Sequence, residues 1–333
     1  MSDKNKKETQ NESSASGFIK MATTTRESTA VTDQPLILSG LDVQTKMKLN
    51  EKDVNAPSGL ITVVGSSSGF GVVIVHELIH RMNIQRQLGK QPMALRAVVL
   101  GETDTQRITI GTSALYQNVE IVEADVFNRD QISKAIEGSN FVVNVLEPHH
   151  IFGYRGLFNM TKSVRRSNRD AAIELVEACK RMSTKPHMIY ISKTALTGRG
   201  VDPNERKLWW PRFGSNAMFS GWFRYKWEAE EHIRSSGLPY TILRCPPFIT
   251  GLPYQRPLKV SQTDNIAGVI ARADAAKMVV ELMINSKKTV GTTLSAIHQG
   301  TRLLRGEPPS ETVHRPDYDF IFSRLVTDKD AEK

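Results

Sequence analysis

The chain has 333 residues, 39% hydrophobic and 24% charged, an ordinary globular balance with enough apolar material for a sizeable core. Its formal net charge of +9 suits phosphate-bearing or other anionic ligands, but no interleaving of aromatic and basic residues points to nucleic acid. Two cysteines, Cys179 and Cys245, exclude a disulfide framework and a zinc ligand set, so no metal is expected and a reducing compartment fits.

Residues 1–56 are polar and rich in Ser, Thr, Lys and Glu, and read as a disordered arm. The arm has no apolar core like that of a secretory signal. No apolar run in the chain approaches the roughly 20 residues that cross a bilayer. A cytoplasmic location is expected, with an organelle left open. From Gly59 strands and helices alternate. Leu60–Val64 is a short, β-branched apolar run, as in a strand buried on both faces. A helix follows with Val72, Val75, Ile79 and Met82 on one face. Strands are predicted at 97–100, 119–122, 141–145, 188–191, 240–243 and 293–297. Between them come a helix capped by Asn128 and stopped by Gly138, and a long helix marked by Ala172, Leu175, Val176 and Cys179. Further helices are predicted at 222–236 and around Ala275, Met278, Val279 and Leu282. This alternation implies an α/β fold of Rossmann type: a doubly wound parallel sheet with helices on both faces and ligands at the strand C-termini. The domain spans 57–307, with inserts at 147–167 and 198–221, and the tail 308–333 reads as irregular.

The first strand runs into Gly65-Ser66-Ser67-Ser68-Gly69-Phe70-Gly71 and then the first helix. Glycine at 65 permits a tight turn, Gly69 lets backbone approach a pyrophosphate, and Gly71 lets the helix pack on the strand. First-turn N–H groups favour phosphate, and the three serines add hydroxyl donors. The cofactor expected on this ground is NAD or NADP. Glu102 and Asp104, after the second strand, favour the NAD ribose, whereas Arg107 favours the NADP phosphate, so the choice stays open.

Five stretches carry a resemblance: ITVVGSSSGFG at 61–71, VEIVEADVFNRDQISKAIEGSNFVVNVL at 119–146, NRDAAIELVEACKRM followed by HMIYISK, EAEEHIRSSGLPYTILRCPPFITG at 228–251, and IARADAAKMVVELM. Over about 59–300 the chain resembles the short-chain dehydrogenase/reductase superfamily, in its atypical or extended NAD(P)H-binding branch with NmrA-like and flavin-reductase-like members. The resemblance implies that Asp125 and Val126 flank the adenine and that Asn144 and Leu146 line the cofactor. It implies Ser192 as the active-site serine and Lys226 as the ribose-binding lysine. Asp125 also reads as a turn residue, Ser192 as a strand cap and Lys226 as a solvated lysine. Arg272 and Asp274 match a structural motif of the family, read here as helix start and surface pairing.

The family's catalytic pair is Tyr-x-x-x-Lys on one helix. Four residues before Lys226 stands Trp222, whose indole is no usable acid. Tyr225 projects about 100° away unless the helix shifts register. The leading expectation is an atypical oxidoreductase passing hydride to a small or flat acceptor, such as a quinone, flavin or carbonyl. The alternatives are a non-catalytic dinucleotide sensor or complex subunit, then a sugar-nucleotide epimerase or dehydratase. The basic stretch 147–169, with His149, His150, Arg155, Lys162, Arg165, Arg166 and Arg169, suggests an anionic substrate or a protein partner.

Overall fold

The computed structural model describes residues 55–101, 118–146, 164–194, 222–264, 266, 268–301 and 313–331. Calls on 1–54, Glu102, Asp104, Arg107, His149, His150, Arg155, Lys162 and the second insert lie outside these residues.

Seven parallel strands form the centre, in the spatial order β3 (Val119–Glu123), β2 (Ala94–Val99), β1 (Leu60–Val64), β4 (Phe141–Asn144), β5 (His187–Lys193), β6 (Tyr240–Cys245) and β10 (Thr292–His298). β8 (Leu258–Ser261) adds antiparallel to β10 at one edge. β7 (Phe248–Ile249) and β9 (Ile270–Ala271) pair separately. The chain builds outward from β1 to β2 and β3, then returns to place β4 on the other side of β1. That reversal opens a crevice at the C-termini of β1 and β4, the position where open α/β sheets bind ligands.

Strand sequences explain the layering. Alternate residues such as Val142 and Val143 face opposite sides, and both are fully buried. One face packs helices α1 (Gly71–Gln87) and α5 (Arg272–Ile284) through Ile74, Leu78, Met278 and Val279. Helices α2 (Arg129–Ala135), α3 (Ala171–Arg181) and α4 (Trp222–Ser235) cover the other face through Ile132, Leu175, Val176 and Ile233. Each such side chain contributes about 1.5–3 kcal/mol of burial. Asn128 caps α2 by accepting from the Asp130 and Gln131 N–H groups, and Gly138 takes φ +73° just beyond it, as the sequence suggested.

Three features differ from expectation. Val72 is only half-buried; Val75, Ile79 and Met82 are buried as expected, and Ile74 and Leu78 join them in the core. Asp274 is not at the surface: it is fully buried, accepting from Tyr254 N at 2.7 Å and meeting His298 Nε2 at 2.9 Å. The tail is ordered over 313–331, with α7 (Tyr318–Phe322) and α8 (Asp328–Ala331) following the short α6 (Ser286–Thr289). Phe322 enters the core, and the Asp328 carboxylate accepts from the Tyr240 hydroxyl, Thr293 N and Thr293 Oγ1. These partners come from distant strands, so a polar tail sequence gave no sign of them.

His187, at the start of β5, is buried with Nε2 2.8 Å from Thr241 Oγ1. Burial lowers its pKa to about 4, against a partial opposing effect from a backbone hydrogen bond with Tyr240. Between pH 4 and about 6.5 the unfolded chain therefore binds more protons than the folded one. The stabilisation is fully present above about pH 6.5 and is lost as pH falls towards 4, about 3 kcal/mol in all. Urea unfolding from pH 7 to 4.5 should show a shallower loss for His187→Gln than for the wild type. Parallel curves would contradict this.

Candidate functional site

The glycine loop is shaped by the ends of three strands. Gly65 and Ser66 both donate backbone N–H groups to Val98 O at the end of β2, at 3.1 and 3.2 Å. Gly65 has φ +87°, and an added Cβ would stand 3.2 Å from Leu146 N and from Val145 C at the end of β4. Glycine is required there by both angle and proximity. At Gly71 a Cβ would stand 2.3 Å from Gly65 O, so the close packing of α1 on the loop depends on its absence. Gly69 is exposed and an added Cβ would meet nothing within 4 Å, so the backbone there is open to an incoming group. Ser68 Oγ takes the first N–H group of α1, and no acidic residue stands in its first turn. The partial positive charge at its N-terminus is left for an anion.

The three serines divide. Ser66 is buried and its hydroxyl donates to Val98 O at 3.0 Å, so it braces the loop and offers no donor to a ligand. Ser68 Oγ accepts from Gly71 N at 2.9 Å and is likewise committed to the turn. Only Ser67 Oγ is buried without a hydrogen-bond partner. Phe70 also departs from expectation: its ring is 2% exposed and packs 4.5 Å from the Phe248 ring, so only its backbone faces the loop.

Beside the loop, Asn144 ends β4 almost fully buried. Its Oδ1 accepts from Leu146 N at 3.1 Å, while its Nδ2 has no hydrogen-bond partner. Val126 and Leu146 are buried in the core by their side chains. Asp125 is exposed and accepts from Phe127 N at 2.9 Å, so the turn reading holds and leaves its second carboxylate oxygen outward.

On the same sheet face as Asn144 lie Ser192 and Lys226. Lys226 is 2% exposed, which rules out a solvated lysine. Its Nζ donates to Ile191 O at 3.0 Å and lies 4.8 Å from the Tyr190 ring centroid. Ser192 Oγ is buried beside the Glu230 carboxylate and helps to hold its proton affinity down, though without a hydrogen bond of good geometry. Burial alone would raise the Glu230 carboxyl; the charge and hydrogen bonds of Arg244, then the charge of Arg234, outweigh it and lower the pKa. Arg244 grips Glu230 at 3.0 and 2.6 Å, and Arg234 reaches it at 2.7 Å.

Trp222 opens α4 one turn before Lys226. Tyr225 faces the other way, lining an outer groove with Arg165, Arg169 and Trp227. The helix register therefore does not bring Tyr225 to the crevice. The basic stretch is also not all loop. Arg165 leads into a π-helical turn, Arg166–Asp170, where Arg165 and Arg169 pair with Asp170 and Arg169 also with Glu228. Arg166 stacks 4.1 Å over Phe127. Their charge is engaged locally rather than presented as an open anion site.

Buried donors without partners at Ser67 and Asn144, an open backbone at Gly69 and a helix N-terminus free of acidic residues fit the pyrophosphate of a dinucleotide. The profile of a family described as NAD(P)H-binding matches residues 84–286, more than half of the chain. The chain belongs to this NAD(P)H-binding family. The match begins inside α1, downstream of the glycine loop, so the loop's role in this NAD(P)H-binding protein rests on its geometry.

A curated relative is the chloroplastic protein TIC 62 of Pisum sativum, 26% identical over 197 residues, or 58% of this chain and 34% of that protein. The chain thus spans about a third of the length of that relative. Among solved structures, a putative NAD-dependent epimerase/dehydratase from Bacillus halodurans shares 19% identity at TM-score 0.55, covering 80% of this NAD(P)H-binding chain and 99% of the other. A Veillonella parvula short-chain dehydrogenase/reductase in complex with NADP shares 16% at TM-score 0.51, covering 73% and 96%. The anaerobilin reductase ChuY of Escherichia coli O157:H7 shares 15% at TM-score 0.50, covering 74% and 99%. These likenesses show the fold, a Rossmann-type α/β domain. Among the described residues no helix is long and apolar enough to cross a membrane.

Proposed function

We propose that this chain is an NAD(P)H-dependent oxidoreductase that reduces a small or flat acceptor without a tyrosine acid. What supports this reading is the open backbone of the glycine loop at the end of β1, the partnerless Asn144 amide at the end of β4, and the buried Lys226 ammonium on the sheet face that Asn144 shares. The backbone of Gly65 to Gly71 and the Ser67 hydroxyl bind the pyrophosphate. Asp125 and the Val126 backbone meet the adenine, Asn144 and Leu146 border the middle of the cofactor, and Lys226 holds the nicotinamide ribose. The bound cofactor supplies a hydride. Ser192 orients the acceptor. With Trp222 in place of an acid, acceptors that draw their proton from water, such as quinones or flavins, suit the site better than simple carbonyls.

Steady-state assays with NADH and NADPH against quinones, flavins and aldehydes test the reading. Turnover is expected with a quinone or flavin and to be slower with aldehydes. Tight cofactor binding with no turnover on any acceptor would overturn it. The second reading, a dinucleotide-binding subunit or sensor, is favoured by one observation: Trp222 stands one turn before the buried Lys226, where an acid would be needed, and Tyr225 lines an outer groove instead.

A further inference from the structure

β8 is the edge strand of the main sheet: β10 pairs with one side of it, and among the described residues no strand pairs with the other. The ladder fixes which backbone groups face outward. Gln299 N donates to Pro257 O at 2.8 Å, and this pair continues the register of Leu258 with His298 and Lys259 with Ile297. Hydrogen-bonded pairs alternate along an antiparallel ladder, so Lys259 and Ser261 turn their backbone groups towards β10, as Pro257 does. Leu258 and Val260 therefore direct their N–H and C=O groups away from the sheet, along the free edge. A cavity of about 720 Å³ borders that edge. Leu258, Val260, Phe320, Ile321 and Leu325 give it apolar walls, and Phe320 is 53% exposed. Its charged lining residues are Lys259 and Arg324, both exposed, with the Arg324 guanidinium 3.9 Å over the Phe320 ring. No carboxylate stands among the described residues that line it.

Outward-facing backbone groups at a sheet edge can pair with an added strand, and neighbouring pockets select its side chains. Charge decides which strand fits. A second copy pairing edge to edge would set these cations against their like, which disfavours self-association. We propose that the β8 edge is a docking site for an extended acidic segment of a partner protein, which adds to the sheet beside Leu258 and Val260. Successive residues of an added strand face opposite sides of the sheet. One side of the partner strand meets Leu258 and Val260, and the other meets Lys259. Alternating apolar and carboxylate side chains match that pattern. Four strands separate β8 from β1, so docking here is independent of the dinucleotide reading above.

Fluorescence anisotropy of the full chain tests this with a labelled peptide of alternating valine and glutamate, beside the same peptide with lysine in place of glutamate. The acidic peptide should bind with a dissociation constant below about 100 μM at low salt, and the lysine peptide at least about tenfold more weakly. Val260→Pro removes an outward N–H but no bond of the ladder, and proline is tolerated at such an edge position. That variant should melt as the wild type does and bind the acidic peptide at least about tenfold more weakly. Lys259→Glu combined with Arg324→Glu should reverse the preference between the two peptides. Equal wild-type affinity for both peptides, no binding of the acidic one below about 1 mM, or undiminished affinity in a folded Val260→Pro protein would overturn the proposal. If Val260→Pro fails to fold, an unchanged preference in the double charge reversal would overturn it. A wild-type dimer in sedimentation that the charge reversal leaves intact and Val260→Pro dissociates would also overturn it, because a second copy would then fill the edge.

Discussion

Gly69→Val is expected to leave the fold intact and to weaken dinucleotide binding by at least about tenfold, whereas Gly71→Ala is expected to damage both. At position 69 an added Cβ meets nothing within 4 Å and the residue is exposed, so the folded chain loses no contact. Surface changes of this kind fall within about 0.5 kcal/mol. The branched side chain would instead stand where phosphate oxygens approach the backbone, and each tenfold of lost affinity is about 1.4 kcal/mol. At position 71 the Cβ would stand 2.3 Å from Gly65 O and 3.0 Å from Ser66 Cα, both backbone atoms that cannot rotate away. The helix must then lift from the loop, breaking the Gly71 N–H bond to Ser68 Oγ. A cost of about 1–3 kcal/mol is typical of such overpacking. Thermal melting and NADPH fluorescence titration of both variants separate the two effects. Gly69→Val binding as the wild type does would remove the loop from the phosphate site.

The second large effect concerns Glu230. Its side chain is fully buried, and Arg244 beside it is only 5% exposed. Glu230→Ala strips Arg244 and Arg234 of their shared carboxylate, and Asp264, 3.7 Å from Arg244, cannot replace two short hydrogen bonds. Removing one partner of a buried pair costs about 3–5 kcal/mol, because the other charge is left without compensation. For a domain of this size that lowers the melting temperature by roughly 10 °C. Replacing both, Glu230→Leu with Arg244→Met, should cost less than Glu230→Ala alone. Differential scanning calorimetry decides the order; a Glu230→Ala protein within about 1 kcal/mol of the wild type would show that the pair is not a structural anchor of α4 on β6.

The fold was legible because its signals are local. Leu60–Val64 matches the predicted strand residue for residue, and the Asn128 cap and Gly138 stop lie where the sequence placed them. Strand ends were less legible: β2 begins at Ala94 rather than 97, since Arg96 reads as polar but is held by Glu120 of β3 and by the Ala135 and Glu137 carbonyls at the end of α2. The short pair β7 and β9 and the edge strand β8 carry too few apolar residues to announce themselves.

The site was legible only in outline. Gly65, Gly69 and Gly71 keep distinct geometric roles, and Asn144, Ser192 and Lys226 share one face. Burial of charge is where sequence reading fails. Arg81, Glu230, Arg244 and Asp274 look like surface residues in a string of letters, yet all are in the interior with partners on other helices or strands. Phe70 and Ser66 sit inside the motif but serve the core and the turn.

A cavity of about 720 Å³ lined by β8, Gly300, Thr301, Phe320 and Arg324 lies at the far edge of the sheet, well away from the glycine loop. A crystal structure grown with NADP+ or NADPH therefore discriminates sharply. The account predicts pyrophosphate oxygens within about 3 Å of backbone N–H groups at Gly69 and Phe70, with the nicotinamide ribose at Lys226. A dinucleotide lodged in the far cavity, or one that leaves the Gly65–Gly71 backbone untouched, would contradict it.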